Sequence, residues 1–264
     1  MSIPLDKIPE PARAAWAELR DRLMAMLDDD LVAVWAYGGT TASGGRWRPA
    51  DLDTYVVLRR APDASTARRI DDAESAIGEA AGVEFDTWYV LEASARRRES
   101  PRHAYRPERL DTTWAVNRAH WLAGRYVNLC GAEPAAVVPT PDWSELQVDL
   151  DREVEHLEAH VAAGDTDAFE ATYALLNGSR VLRAVETRDV AISKREAGAW
   201  ALEHLPDRWH PPLRAALRSH EGHATPADVE LLASEMGAFV AMVRGRSPGV
   251  TPRPEGAAPR WSGS

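Results

Sequence analysis

The sequence predicts an α+β protein in two parts, a small helix-covered sheet followed by an all-helical part. Three observations predict it. Short apolar runs bounded by glycine and polar turns, the mark of buried strands, lie in the first half. From Asp149 to Arg244 there is no strand candidate, and apolar residues recur at helical spacing. The pattern changes past "VVPTPDW", so the chain divides near residue 145 into residues 1–145, 146–246 and a tail, 247–264.

Taken in order, Pro9 to Leu27 reads as an amphipathic helix, with Trp16, Leu19, Leu23 and Leu27 on its apolar face. Leu31 to Tyr37 is an apolar run and a first strand, and Leu52 to Leu58 is a second. "DASTARRIDDAESAIGEAAG" is helical by composition and stops at Gly82. Val83 to Leu91 is a third strand, in which Glu84, Asp86 and Trp88 share one face and Phe85, Thr87 and Tyr89 the other. In the second half Val154, Leu157 and Val161 mark a helix that breaks at Gly164, and Ala168 to Glu186 is a longer one. "SKRE" (Ser193 to Glu196) is a capping box opening a helix that ends before Pro206. "TPAD" opens the last helix with a threonine cap and proline at its first position. The tail is rich in Pro, Gly and Ser and is expected to be flexible.

The 264 residues are 45% hydrophobic, enough for one large core or two small ones. The formal charge of −10 disfavours a nucleic-acid binder, which needs a basic footprint, and is compatible with a cationic small-molecule partner. The absence of any apolar run of about eighteen residues excludes a membrane span. One cysteine, Cys130, and an N-terminus unlike a secretory signal lead to the expectation of a cytoplasmic protein. A monomer is expected.

The chemistry concentrates in "AYGGTTASGGRWRPADLDTYVVL", Ala36 to Leu58. Asp51 and Asp53 are two apart at the head of a strand, so both carboxylates face one side. Like charges that close repel, and a divalent cation such as Mg²⁺, which takes carboxylates together with phosphate oxygens, relieves the repulsion. The glycine-rich turn lets backbone N–H groups approach phosphates, and Thr40 and Thr41 add hydroxyls. A third carboxylate from the next strand would complete a metal site or act as a general base; Glu84 and Asp86 are the candidates. Glu153, His156 and His160 share a helix face but lack a glutamate beside His156, so they read as a surface face and not a zinc site. "HEGH" at residues 220–223 is set aside likewise.

The order of Gly39-Thr40, Asp51-Leu52-Asp53 and Val83-Glu84-Phe85 resembles the polymerase-β type of nucleotidyltransferase fold. "YALLNGSRVLRAVETRDVAISKREAGAWALEHLP" (Tyr173 to Pro206) and "LCGAEPAAVVP" resemble the helical domain and interdomain connection of bacterial aminoglycoside adenylyltransferases of the streptomycin/spectinomycin type. The resemblance implies a polymerase-β-like N-terminal domain followed by a helical bundle. It also implies transfer of AMP from ATP, with Mg²⁺, to a hydroxyl of the antibiotic, and hence resistance. Residue by residue it implies metal ligation by Asp51, Asp53 and Glu84, with Glu84 as general base and Asp86 as the alternate third carboxylate. Gly39, Thr40 and Lys194 would bind ATP, with His220 at the position of an ATP-contacting tyrosine. Lys194 also stands out by itself, because a cation in the first turn of a helix opposes the macrodipole unless an anion docks there. Trp114 and Glu170, with Asp86, would line the acceptor site. Thr40 stands for the usual serine, and one residue is added between Thr187 and Lys194. Streptomycin-acting members carry a tryptophan nine positions before Glu170; here Val161 stands there. Two other readings stay open: the same fold acting on another acceptor, and a non-catalytic nucleotide-binding module.

Overall fold

The structure, a computed structural model, describes residues 2–42, 51–164 and 167–247. Residues 43–50, which include Trp47 and the last three residues of the glycine-rich turn, lie outside the described residues, as does all but Ser247 of the tail.

The N-terminal part runs α1 (Glu10–Leu27), β1 (Leu31–Ala36), α2 (Gly38–Ala42), β2 (Leu52–Leu58), α3 (Ala64–Ala81), β3 (Phe85–Leu91) and α4 (Glu92–Ala95). It continues with β4 (Arg102–His103), β5 (Arg106–Leu110), α5 (Trp114–Leu122), β6 (Val127–Gly131) and α6 (Pro134–Val137). Among the described residues one sheet has the order β3-β2-β1-β6, with β1 antiparallel to both neighbours and β2 parallel to β3. β4 and β5 form a separate two-stranded ribbon.

Side chains alternate across the sheet as the strand period requires. Leu52, Val56 and Leu58 pack with Tyr89 against Trp16, Leu19 and Leu23 of α1 and Ile70 and Ile77 of α3. Within this layer the buried Trp16 Nε1 donates to Thr54 Oγ1 at 3.0 Å. The opposite face carries Trp35, Tyr55, Val57 and Val90, covered by Trp114 and Trp121 of α5. Asp53 belongs to this second face, at its open end.

The C-terminal part is helical, as expected: α7 (Trp143–Ala163), α8 (Ala168–Thr187), α9 (Lys194–His204), α10 (His210–His220) and α11 (Pro226–Arg246). The expected capping box at Ser193/Glu196 and the expected threonine cap at Thr225 are present; Thr225 forms a capping box as well, with Asp228, and a third opens α7 at Asp142/Glu145. α8 is the central helix and packs on all four others. Gly178 permits its close approach to α11, since a Cβ there would lie 2.9 Å from both Phe239 and Val243.

α5 joins the two parts. Its N-cap, Thr113, makes no side-chain cap; instead Asp149 of α7 accepts from the N–H groups of Ala115 (2.7 Å) and Val116 (3.1 Å). Arg118, fully buried on α5, donates to the Pro139 carbonyl at 3.0 Å and pairs with Glu145 of α7. The free Cys130 is half-buried in β6. Among the described residues no helix is long and apolar enough to cross a membrane.

Candidate active site

The site begins where β1 ends. Tyr37 is followed by Gly38 at φ +79°, and a Cβ on Gly38 would lie 1.6 Å from Asp53 Oδ2. Only glycine both tolerates that backbone and leaves room for the carboxylate. The segment expected as an open turn is, over Gly38–Ala42, one short helix, closed by Thr41 Oγ1 donating to the Gly38 carbonyl at 2.9 Å. The backbone N–H of Gly39 donates to the Asp53 carboxylate, and Thr40 is largely buried.

Strand register then gathers the carboxylates. β2 and β3 pair Asp53 directly with Asp86, and the Leu52 N–H donates to the Glu84 carbonyl at 2.7 Å. Asp86 therefore stands beside Asp53 in the sheet, while Glu84 lies just before β3, beside Asp51 on the wall of a 740 Å³ cavity. That cavity is flanked by Asp71, Glu74 and Glu79 of α3 and by Arg106.

The electrostatics record the crowding. Asp53 is pushed up to about 7, first by burial and then by Asp86 and Asp51, against the opposing pull of Lys194 and the Gly39 N–H. Burial also raises Asp86, with Asp51 and Glu84 adding to it and Arg109 opposing. Arg109 lies over the Trp88 ring at 5.0 Å. Tyr37 is raised by burial and by Asp53, Asp111 and Asp86, so it stays protonated beneath the carboxylates.

The helical part closes the site with cations. Lys194, the first residue of α9, sits 4.5 Å from the Tyr173 ring and within the fields of Asp53, Glu153 and Asp51. Burial and Arg180 together lower its pKa. Sequence reasoning missed Arg180, whose buried Nε has no hydrogen-bond partner in the structure. The signal was there: it is an arginine on a helix whose other residues are largely buried. It also missed Glu153 as part of the site; this side chain accepts from Asn177 Nδ2 at 3.0 Å and from the Tyr173 hydroxyl.

The remaining expected residues divide. Glu170, in the first turn of α8, places Oε2 3.2 Å from His160 Nδ1, and His160 stacks edge-on against His156, which in turn meets Tyr173. His220 is the exposed last residue of α10, at the end where Glu221 pairs with Arg195 of α9 and Ser219 meets Thr172 of α8. Trp114 departs from expectation. It is 1% exposed, stacked on Tyr55 at 5.8 Å, with Nε1 donating to the Arg97 carbonyl, so it fills the aromatic core and does not line an open pocket. The reason is its place at the start of α5, which Asp149 presses onto the sheet.

Among the described residues no three His, Cys, Asp or Glu side chains already stand as a metal cage. Mg²⁺ needs only one or two carboxylates with phosphates and waters, and the hard-oxygen set of Asp51, Asp53 and Asp86, whose mutual repulsion raises Asp53, has the chemistry to hold it.

Residues 146–246 match the family of aminoglycoside adenylyltransferase C-terminal domains. The match covers the helical part of the chain, α7 to α11. The architecture agrees: the spectinomycin adenyltransferase AAD(9) from Enterococcus faecialis, solved with ATP and spectinomycin, matches with a TM-score of 0.63. That match has 15% identity and covers 86% of this chain and 98% of that one. No curated protein matches the chain by sequence. The helical part that carries this match holds Lys194, which lies within the fields of Asp53 and Asp51 of the sheet.

Proposed function

We propose that the chain transfers AMP from ATP to a hydroxyl of spectinomycin, a Mg²⁺-dependent reaction that confers resistance. The observation that carries this is the in-register pair of Asp53 and Asp86, with Asp51 beside them, in the field of Lys194 from the adenylyltransferase domain. Asp51 and Asp53 would hold Mg²⁺, which when bound neutralises phosphate charge and orients the triphosphate. Asp86 is the third carboxylate and takes the proton of the attacking hydroxyl; its register beside Asp53 favours it over Glu84, which remains at the mouth by Asp51. The hydroxyl oxygen bonds to the α-phosphorus as the bond to pyrophosphate breaks. Lys194 and Arg180 meet the charge that collects on the departing pyrophosphate, the work expected of fixed cations in phosphoryl-type transfer. Gly39 and Thr40 would contact the phosphates, and His220 would contact the nucleotide.

Glu170 and Glu153 present carboxylates for the acceptor's ammonium groups. Spectinomycin is favoured over streptomycin because Val161, at the tryptophan position of streptomycin-acting members, is packed into the helical core. The solved neighbour acts on spectinomycin as well. A cytoplasmic setting fits the use of ATP and the free Cys130.

Pyrophosphate release from ATP and Mg²⁺, measured with spectinomycin and with streptomycin, tests the proposal. Release with spectinomycin that Asp53→Ala abolishes is the expected result. Silence with both drugs, while ATP still binds, would turn the search to another acceptor.

A further inference from the structure

Arg180 is held in an unusual way for a buried cation. Its Nη2 lies 3.0 Å from His120 Nε2, its Nη1 donates to Asn177 Oδ1 at 3.3 Å, and its Nε has no partner. Both holders are neutral, and no ion pair among the described residues includes Arg180. The carboxylate whose field reaches it, Glu153, accepts its hydrogen bonds from Asn177 and Tyr173.

His120 comes from α5, the helix that joins the two parts. Burial, Arg180 and Arg125 push its pKa down to about 3, so the ring is neutral at physiological pH. A guanidinium has no acceptor, so Nε2 must be the lone-pair nitrogen facing Arg180 and the N–H must sit on Nδ1. The ring's other bond is to the Val190 backbone. Val190 is buried in the segment that leads to Ser193 and Lys194. One ring thus ties α5 to Arg180 and to the lead-in of Lys194, the two cations of the site.

A carboxylate at this position would grip Arg180 more strongly, because charge-assisted bonds are about twice as strong as neutral ones. It would also cancel the charge that an anion needs. We infer that His120 is a positioning residue that aims Arg180 at the triphosphate while adding no negative charge of its own. The inference rests on the ATP-dependent reading above.

The test compares the full chain with His120→Gln, His120→Ala and His120→Glu. It measures ATP affinity by calorimetry in Mg²⁺, the thermal midpoint, and KM and kcat for ATP. Glutamine keeps an uncharged acceptor and is expected to bind within about threefold of the original. Alanine should weaken ATP binding about tenfold, raising KM for ATP more than it lowers kcat. Glutamate should weaken it further, with a thermal midpoint at or above that of His120→Ala. A purely structural role would move affinity and midpoint together. The inference falls if His120→Ala or His120→Glu binds ATP as the original does, or if affinity follows the midpoint across all three. A wild-type chain that binds ATP but adenylylates neither drug would overturn the acceptor assignment and leave the inference standing. One that does not bind ATP would overturn both.

Discussion

Asp53 is asked to do two things that oppose each other. It is a charged ligand, and it is buried beside two like charges. Its pKa in the fold, about 7, stands above the ordinary 3.8 it has when unfolded. A carboxyl raised in this way lends its full stability below the unfolded value and loses it as pH rises through the folded one. The ligand-free protein should therefore lose stability between about pH 4 and pH 7 on this account. Asp53→Asn cannot ionise and still offers an acceptor to the Gly39 N–H. Its thermal midpoint should exceed the wild-type one at pH 8 and converge with it near pH 4, while transfer activity is lost. Mg²⁺ should raise the wild-type midpoint at pH 8 and leave that of the variant unmoved. A variant less stable than wild type at pH 8 would contradict this reading of the site. Gly38 shows the same priority: the backbone gives up a side chain so that one carboxylate has room.

At the scale of elements, the decisive contact is a helix start capped from elsewhere. Asp149 satisfies two N–H groups of α5 that its own N-cap leaves open. Capping oxygens contribute about 1 kcal/mol, and a buried donor left unmet costs about 1–3 kcal/mol. Asp149→Ala should then lower stability by about 2 kcal/mol, read as a shift of the urea midpoint at unchanged slope. Asp149→Asn, which retains an acceptor, should lose much less. Equal losses would mean that charge, not the cap, matters there. α1, α8, α9 and α11 were legible in the chain because their signals are local, an apolar stripe or a capping box within four residues. β4, β5 and β6 were not. "RHAYRPERL" and "VNLCG" are short, and β5 is mostly exposed, so neither period nor hydrophobicity marks them; β4 and β5 become strands by pairing with each other, and β6 by pairing with the distant β1.

At the scale of the whole molecule the two parts share a helix and a site. α5 lends Trp114 and Trp121 to the aromatic layer of the sheet and Ala115 to the core of the helical part. Cores joined through one helix should unfold together. Urea unfolding followed by tryptophan fluorescence and by far-UV circular dichroism should give coincident transitions. Two separated transitions would show that the parts are independent and that the site closes only by their docking.

The sequence by itself determined which residues could do the chemistry: Asp51 and Asp53 on one strand face, a carboxylate from the next strand, and Lys194 at a capped helix start. These follow from spacing along a single element, where strand and helix periods fix direction. Tertiary structure decided the rest. Glu84 and Asp86 share a face by their spacing, and only the pairing of β2 with β3 sets Asp86 beside Asp53. Trp114 could line a pocket or fill a core, and only the docking of α5 buries it. His120 and Arg180 are sixty residues apart and meet only because α5 packs between the two parts. No local pattern encodes such meetings, because they depend on where whole elements come to rest and not on the period within any one of them.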